Sequence, residues 1–394
     1  MSVTAAGGFT AAGVASGVKA NGAPDVALVA TADRAPVAAA GVFTANRVAA
    51  APVQVTKAHL ADPVASAVVL NAGNANAATG EPSRVAARRM CARTAAALGC
   101  QPDDVLVCST GLIGSPLPID TVEAGIAEAA CHLGADPASG HAAADAIRTT
   151  DTVPKEAVAE VAPYTVGGMA KGAAMLAPAL ATMLAVLTSD APASPEVLQQ
   201  ALRRGVRDTF NALLVDGCTS TNDTVLLLAN GSAGGTPVPP SGPAFDAFAG
   251  AVTSVCASLA EQMAADAEGA TKRARVVVRG AASGEDARRA ARAVAASQLV
   301  QCSLYGQDPY WGRVLSELGA SGAVFDPERV DITYDQVTVC RDGIAAPHDE
   351  AALATVMQGR DLEIGCDLHA GAGEAAVLFT DLTHAYVDEN MATS

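Results

Sequence analysis

The stretch Tyr164–Asp190, YTVGGMAKGAAMLAPALATMLAVLTSD, decides how the chain is read. Its uncharged apolar run, Ala173–Leu187, carries Pro178 near the middle. It falls short of the ~20 residues that a bilayer-spanning helix needs, and proline would break such a helix, so the run reads as core of a globular protein and not as a membrane span. Two polar side chains interrupt the segment, Lys171 behind the Gly167-Gly168 pair and Thr182 inside the apolar run. Lysine is scarce, with Lys19, Lys57, Lys155, Lys171 and Lys272 making up the whole set. An ammonium next to apolar sequence is costly unless it has a partner, so Lys171 is a candidate functional residue. On residues alone it reads equally well as a side chain snorkelling from the segment's edge. Thr182 alone reads as an ordinary buried β-branched residue.

Outward from this segment, apolar runs alternate with alanine-rich amphipathic stretches over the whole length. Expected strands are Val26–Ala30, Val37–Thr44, Ala67–Asn71, Val105–Cys108, Val225–Ala229, Arg275–Arg279, Val330–Tyr334, Val337–Cys340, Leu362–Leu368 and Glu374–Thr380. Helices are expected from Ser83 to about Leu98, from Ser194 with Pro195 in its first turn, after the Ser283/Asp286 capping box, and over Phe245–Ala267. Residues 231–243, GSAGGTPVPPSGP, form the clearest loop. On this pattern the fold class is α/β or α+β.

The 394 residues carry 25 Lys+Arg against 41 Asp+Glu, a formal net charge of -16 that repels nucleic acid. Half the residues are hydrophobic but only 3% are aromatic, so the core must be built from Ala, Val and Leu packed in several layers. The N-terminus has no basic region ahead of an apolar one and reads as lacking a secretion signal. Nine cysteines, an odd number without a CxxC pair, read as reduced, buried thiols in a cytoplasm. The six histidines never fall at ligand spacing, so no metal is implied.

Four other features invite chemistry. Ser16-Gly17-Val18-Lys19 matches an SxxK pattern without its companion motifs and reads as a surface turn. The glycines of GAGEAA, residues 371–376, link two expected strands and read as a hairpin turn, not a dinucleotide loop. Strand Val105–Cys108 feeds into Ser109-Thr110-Gly111, a tight turn whose amides and Thr110 hydroxyl can converge on an oxyanion; a plain strand-to-loop turn is the competing reading. Glu268, in ADAEGATKR, reads from local spacing as a helix-end carboxylate supporting Lys272 at i+4. TSTNDT, residues 219–224, reads as a capped turn without an assignable role, and Trp311, the only tryptophan, as a packing anchor.

The motif GGMAKGxxMLAPxLATML resembles the processing site of the ornithine acetyltransferase family, whose precursors cut themselves before the motif's threonine. The resemblance continues through GFTAAGVASGVK (8–19), GVFTANRVAAAPV (41–53), NAGNANAATG (71–80), CSTGLIG (108–114), TTDTVPK from Thr149, DGCTSTNDT from Asp216, ADAEGATKR from Ala265, DPYWGR from Asp308 and DLTHAYVDEN from Asp381. It implies cleavage of Ala181-Thr182 into chains 1–181 and 182–394, which jointly form a four-layer αββα fold. It further implies that Thr182 is the nucleophile, that Thr110 and Gly111 form the oxyanion hole, and that Thr149, Lys171, Thr182, Glu268, Asn390 and Ser394 contact substrate. Acetyl would pass from N2-acetylornithine to Thr182 and on to glutamate, in the cytoplasm, without cofactor or metal, in a heterotetramer of two α and two β chains. Some members also use acetyl-CoA. Within the same superfamily an aminopeptidase or amidase is the rival, and outside it an uncleaved binding protein for acetylated amino acids. Two departures stand out: Tyr310 replaces the family's usual Asn, and the tail NMATS is short and lacks an aromatic.

Overall fold

The computed structural model describes residues 2–176 and 183–391. Strands β1 (Phe9–Val14), β2 (Val26–Thr31), β3 (Val37–Phe43), β4 (Val64–Ala65), β5 (Ala67–Asn74), β6 (Val105–Leu112), β7 (Lys155–Val161), β8 (Tyr164–Lys171) and β9 (Leu184–Ser189) alternate with helices α1 (Ala51–His59), α2 (Glu81–Leu98), α3 (Ile119–Cys131), α4 (Pro137–Ala146) and α5 (Pro195–Arg207). Then come β10 (Leu213–Leu214), β11 (Thr224–Ala229), α6 (Pro243–Ala265), β12 (Arg273–Ala281), α7 (Gly284–Ala296), α8 (Gln298–Tyr305) and α9 (Trp311–Ala320). The chain closes with β13 (Asp331–Tyr334), β14 (Val337–Arg341), β15 (Ile344–Ala345), α10 (Glu350–Gln358), β16 (Asp361–Asp367), β17 (Gly373–Thr380) and α11 (His384–Asn390). These elements form two compact units, the first from Met1–Gly172, Ala179–Phe210 and Thr219–Met263, the second from Ala173–Pro178, Asn211–Cys218 and Ala264–Ser394.

The first unit holds two sheets, ordered β1-β2-β5-β6 and β4-β3-β11-β9-β8-β7. Because side chains alternate along a strand, each sheet has two faces to bury. Phe9, Ala27, Val29, Val68, Leu70 and Leu106 of one sheet interdigitate with Met169, Leu184, Val186, Leu226 and Leu228 of the other. The alternate residues Leu28, Val69, Val105 and Val107 turn outward onto Ala87 and Met90 of α2 and Val122 and Ile126 of α3. On the far side of the second sheet α5 packs on β3, and Val255 and Leu259 of α6 come within 2.8 and 3.3 Å of where a Gly168 Cβ would sit. The order is therefore helix, sheet, sheet, helix, as expected for the αββα fold. Strands β9 and β11, which follow residue 182, pair with β8 and β3, which precede it, so the sandwich draws on both segments.

Helix α6, 23 residues, is the one element among the described residues long and apolar enough to cross a membrane by composition. Its Phe248, Val252, Val255, Cys256, Leu259 and Met263 recur at helical spacing and are buried, the pattern of a core helix.

The second unit is an α/β layer pair that the four-layer expectation did not include. Its sheet runs β10-β17-β12-β16-β13-β14-β15. One face, including Val276, Ile364, Ile332, Tyr334 and Phe379, is covered by α7, α8, α9 and α10, with Trp311 packed against this core as expected. Its charged side chains pair across neighbouring strands, Arg273 with Asp361 at 2.6 Å and Arg279 with Glu363 at 3.4 Å. The expected hairpin at residues 371–376 is not formed: β12 lies between β16 and β17, so the glycine-rich link crosses over a strand. The glycines serve close packing, since a Cβ at Gly373 would lie 2.3 Å from Ser283 backbone.

All the expected strands are present, and Ser194 and Ser283 cap their helices as read. Strands β1, β7, β8 and β9 and the two-residue strands β4, β10 and β15 were not anticipated. The cysteine reading needs correction: Cys91, Cys108, Cys256, Cys340 and Cys366 are buried, but Cys131, Cys218 and Cys302 are exposed.

Candidate active site

Strand β6 does not turn at Ser109 as expected but continues to Leu112, carrying a bulge in which Asn74 of β5 opposes both Thr110 and Leu112. Gly111 makes the bulge possible. Its φ is +129°, and a Cβ there would lie 2.3 Å from the Gly73 carbonyl carbon. Thr110, one residue before, is 4% exposed. The bulge is held from the TSTNDT block, where the Asn222 side-chain amide donates to the Ser109 carbonyl at 2.8 Å and the Ala75 carbonyl at 2.7 Å. Asn222 Oδ1 in turn accepts from the Thr221 hydroxyl at 2.6 Å. The block that had no assignable role thus clamps the segment bearing Thr110.

Lys171 closes β8 with only 3% of its surface exposed, so it does not snorkel. Its ammonium donates to Thr110 Oγ1 at 3.3 Å and lies 3.9 Å from Asp151 Oδ2. Asp151, which sequence reasoning did not single out, is the hub. Its carboxylate accepts from Lys155 Nζ at 2.7 Å, from the Gly172 amide at 2.6 Å and from the Thr149 amide at 3.1 Å. Burial alone would raise the Asp151 pKa, but the charges of Lys171 and Lys155 outweigh it and hold the group down to about 2. Thr149, Lys171, Thr110 and Gly111 therefore belong to one neighbourhood, organised by a carboxylate whose only sequence signal was two scarce lysines close to TTDTVPK.

Ala181 and Thr182 lie outside the described residues. The next residue, Met183, donates its amide to Asp223 Oδ1 at 3.1 Å, and its carbonyl accepts from the Thr224 amide at 3.1 Å. Asp223 is wholly buried. Desolvation pushes its pKa well above the usual carboxylate range, against the opposing pull of the Met183 amide, the neighbouring Ser220 hydroxyl and the Lys171 charge.

A second cluster lies within the second unit. Glu268 Oε2 accepts from Asn390 Nδ2 at 2.8 Å, and the Glu268 amide donates to the Ala173 carbonyl at 3.0 Å. The turn after α6 presses on α11, because a Cβ at Gly269 (φ +63°) would lie 2.3 Å from the Tyr386 amide nitrogen. Tyr386 donates its hydroxyl to Asp216 Oδ2 at 3.2 Å. Burial, with a smaller contribution from the Glu268 charge, raises the Asp216 pKa. The helix-end reading of Glu268 fails: Lys272 instead donates to the Met357 and Gly359 carbonyls at 2.7 and 2.8 Å. The second unit thus brings Glu268 and Asn390 together, while Ser394 lies outside the described residues.

The Ser16–Lys19 backbone amides and the Ser16 hydroxyl wrap around the Asp25 carboxylate at 2.7–3.0 Å, an anion-binding turn that leaves no free nucleophile. Among the described residues no cluster of His, Cys, Asp and Glu is arranged to hold a metal. Tyr310 occupies the N-cap position of α9 without a side-chain cap bond, and its ring lies 5.5 Å from the Arg313 guanidinium.

Fold and site together define a four-layer α/β protein with a buried Thr–Lys–Asp chain at the end of β8, the strand that pairs with β9. The chain belongs to the ArgJ family, whose pattern it matches over residues 10–393. Relatives called arginine biosynthesis bifunctional protein ArgJ include those of Thermobifida fusca, 49% identical over 394 residues and 100% of both chains, and of Mycobacterium tuberculosis, 48% identical over all of this chain and 96% of that one. The solved structure of the Bacillus halodurans protein of the same name is 35% identical, with a TM-score of 0.50 over 52% of this chain and 96% of that one. A structure of ornithine acetyltransferase from Mycobacterium tuberculosis, complexed with ornithine, is 46% identical with a TM-score of 0.44 over 45% of this chain and 94% of that one.

Proposed function

We propose that this protein moves acetyl from N2-acetylornithine to glutamate through an acetyl ester on Thr182, after cutting itself between Ala181 and Thr182. The observation that carries the reading is the buried Thr110–Lys171–Asp151 chain, in a protein 49% identical over its whole length to a bifunctional ArgJ. A threonine hydroxyl is a weak nucleophile, but an N-terminal threonine carries its own base, an α-amine with a reference pKa of ~7.7–8.0. Before cleavage the same hydroxyl attacks the Ala181 carbonyl in an N-to-O acyl shift, so maturation and transfer share one nucleophile. Thr110 and the Gly111 amide receive the oxyanion, and the Lys171 ammonium beside Thr110 adds a positive field that is stronger because water is excluded. Thr149 and Lys171 contact the substrate, Glu268 with Asn390 takes the ornithine ammonium, and Ser394 contributes from the tail.

Donor and product are both amides, so transfer is close to thermoneutral and needs neither ATP nor a bound cofactor. The word bifunctional in the relatives' name favours a second use of the same acetyl-Thr182 ester, loaded from acetyl-CoA to acetylate glutamate directly. In this reading the protein works in the cytoplasm as a heterotetramer of two 1–181 and two 182–394 chains. Intact-mass analysis tests the central claim. Wild type should separate into those two chains, and Thr182→Ala should stay single and inactive; a single full-length mass together with normal transfer rates overturns it.

A further inference from the structure

Strands β5 and β6 pair in simple register through the rung Asn71–Ser109, and beyond Gly73 the register shifts so that Asn74 opposes both Thr110 and Leu112. The two rows of side chains on β6 face different layers. Leu106 and Cys108 face the second sheet and Val105 and Val107 face the helices, so by alternation Thr110 continues the first row and Ser109 the second. Asn71, directly opposite Ser109, therefore stands on the helix side, behind the strand that presents Thr110. It is wholly buried, and both ends of its amide are used. Its Oδ1 accepts from the Ser109 hydroxyl at 2.5 Å, and its Nδ2 donates to the Asn74 carbonyl at 2.9 Å.

The second of these bonds depends on a bend. In an extended strand three residues cover ~10 Å, a span that no asparagine side chain reaches across. Asn71 meets the Asn74 carbonyl because the backbone turns at Gly73, where φ is +100° and a Cβ would lie 3.1 Å from Val18 and 3.2 Å from Lys19. The bond forms only in the bent chain, so it stabilises that chain against a straight continuation of β5. Asn74 passes the constraint on. Its Nδ2 donates to the Ser115 and Pro116 carbonyls at 3.2 Å, and its Oδ1 accepts from the Asn76 amide at 2.8 Å. One side chain thus holds both Ser109, the residue before Thr110, and Asn74, a residue opposite it.

We propose, resting on the reading of Thr110 as an oxyanion donor, that Asn71 is a positioning residue for acyl transfer: it locks the β5–β6 bulge from behind and so fixes where the Thr110 hydroxyl points. Thr110 Oγ1 accepts from Lys171 at 3.3 Å, and a hydroxyl that accepts from an ammonium keeps its own proton to donate. That donor is effective when it already stands where negative charge develops, since a group that must be moved during the reaction loses much of its value. Asn71 acts through the backbone, because its bonds reach Ser109 and Asn74 and not the Thr110 hydroxyl. No bond or proton changes at Asn71 itself.

Asn71→Asp tests this at about pH 8–9, well above the ordinary aspartate range, because it keeps an oxygen for the Ser109 hydroxyl and turns the donor to Asn74 into a second acceptor. With rates taken per cleaved chain, kcat should fall about tenfold to hundredfold while acetylornithine KM stays within about twofold. The decisive measurement is a cycle with Thr110→Ala. If Asn71 acts through Thr110, adding Asn71→Asp to Thr110→Ala should change kcat by less than about twofold. Losses that multiply in the double variant overturn the proposal. So do wild-type kcat in Asn71→Asp, a loss confined to KM, and a variant that melts like wild type yet stays uncleaved. Should Asn71→Asp not fold, Ser109→Ala takes its place in the same cycle. It deletes one of the two bonds, so kcat should fall about threefold to tenfold, again with no further effect on Thr110→Ala; a multiplying loss overturns the proposal here too. Failure of the parent reading is separable: it appears in the single Thr110→Ala variant as unchanged kcat, or in intact mass as uncleaved wild type.

Discussion

Replacing Asp151 by Asn should destabilise this protein more than almost any other single isosteric change, and the structure sets the size. The carboxylate is buried and faces two ammonium groups, Lys155 at 2.7 Å and Lys171 at 3.9 Å. At an effective dielectric of ~20 these attractions are about 6 and about 4 kcal/mol before desolvation, which takes back several kcal/mol per ion. Two independent routes bound the remainder. The difference between an ordinary aspartate at 3.8 and about 2 here corresponds to about 2 kcal/mol for neutralising the group. Breaking a buried pair by removing one partner typically costs ~3–5 kcal/mol, because the opposite charge is stranded. The expected loss at pH 7 is therefore about 2–5 kcal/mol, or roughly 2–6 °C in melting temperature for a chain of 394 residues. Urea unfolding measures it directly, and adding Lys155→Met should recover part of the loss by removing one stranded charge. The pH dependence carries its own sign. A carboxylate whose folded pKa is depressed stabilises fully above its unfolded pKa, so the gap between wild type and variant should persist at pH 5 and close as pH falls from about 4 towards 2. A variant within 1 kcal/mol of wild type at pH 7 would refute the claim that this carboxylate holds the Lys171 region together.

Two further outcomes follow from the geometry. Gly111→Ala should cost at least ~1–3 kcal/mol from its positive φ alone, before the 2.3 Å clash with Gly73 is counted, and should abolish transfer by displacing Thr110; wild-type melting and turnover would mean that the bulge is not where the oxyanion is bound. Glu268→Gln should weaken acetylornithine binding by roughly tenfold to 150-fold, the equivalent of ~1.5–3 kcal/mol for a charge-assisted bond, while leaving stability nearly unchanged because Lys272 bonds elsewhere. Calorimetry on cleaved enzyme with transfer blocked reads that affinity, and an unchanged donor affinity removes Glu268 from the site.

Local sequence was sufficient for whatever depends on a short pattern. Short apolar runs located β2, β5 and β12, serine caps located the starts of α5 and α7, and the long motif around Thr182 carried the family. Where local propensity and tertiary packing disagree, the sequence alone misled. Strand β8 contains the Gly167-Gly168 pair and was not among the expected strands, yet those glycines are required because a Cβ would meet the Ser2 carbonyl oxygen at 2.2 Å and Val255 at 2.8 Å. The glycines of residues 371–376 suggested a hairpin, but strand order is a non-local property, and β12 inserts between the two strands. Glu268 and Lys272 have helical spacing without a helix, so each finds its partner far along the chain. The same holds for the site. Residue types alone marked Lys171 as needing a counter-charge, but only folding could show that the counter-charge is Asp151, and that Asn222 reaches 113 residues back to hold Ser109. Chemistry-bearing residue types are legible in one dimension because they are rare and costly to bury; their pairing depends on distances that only the packed sheets determine.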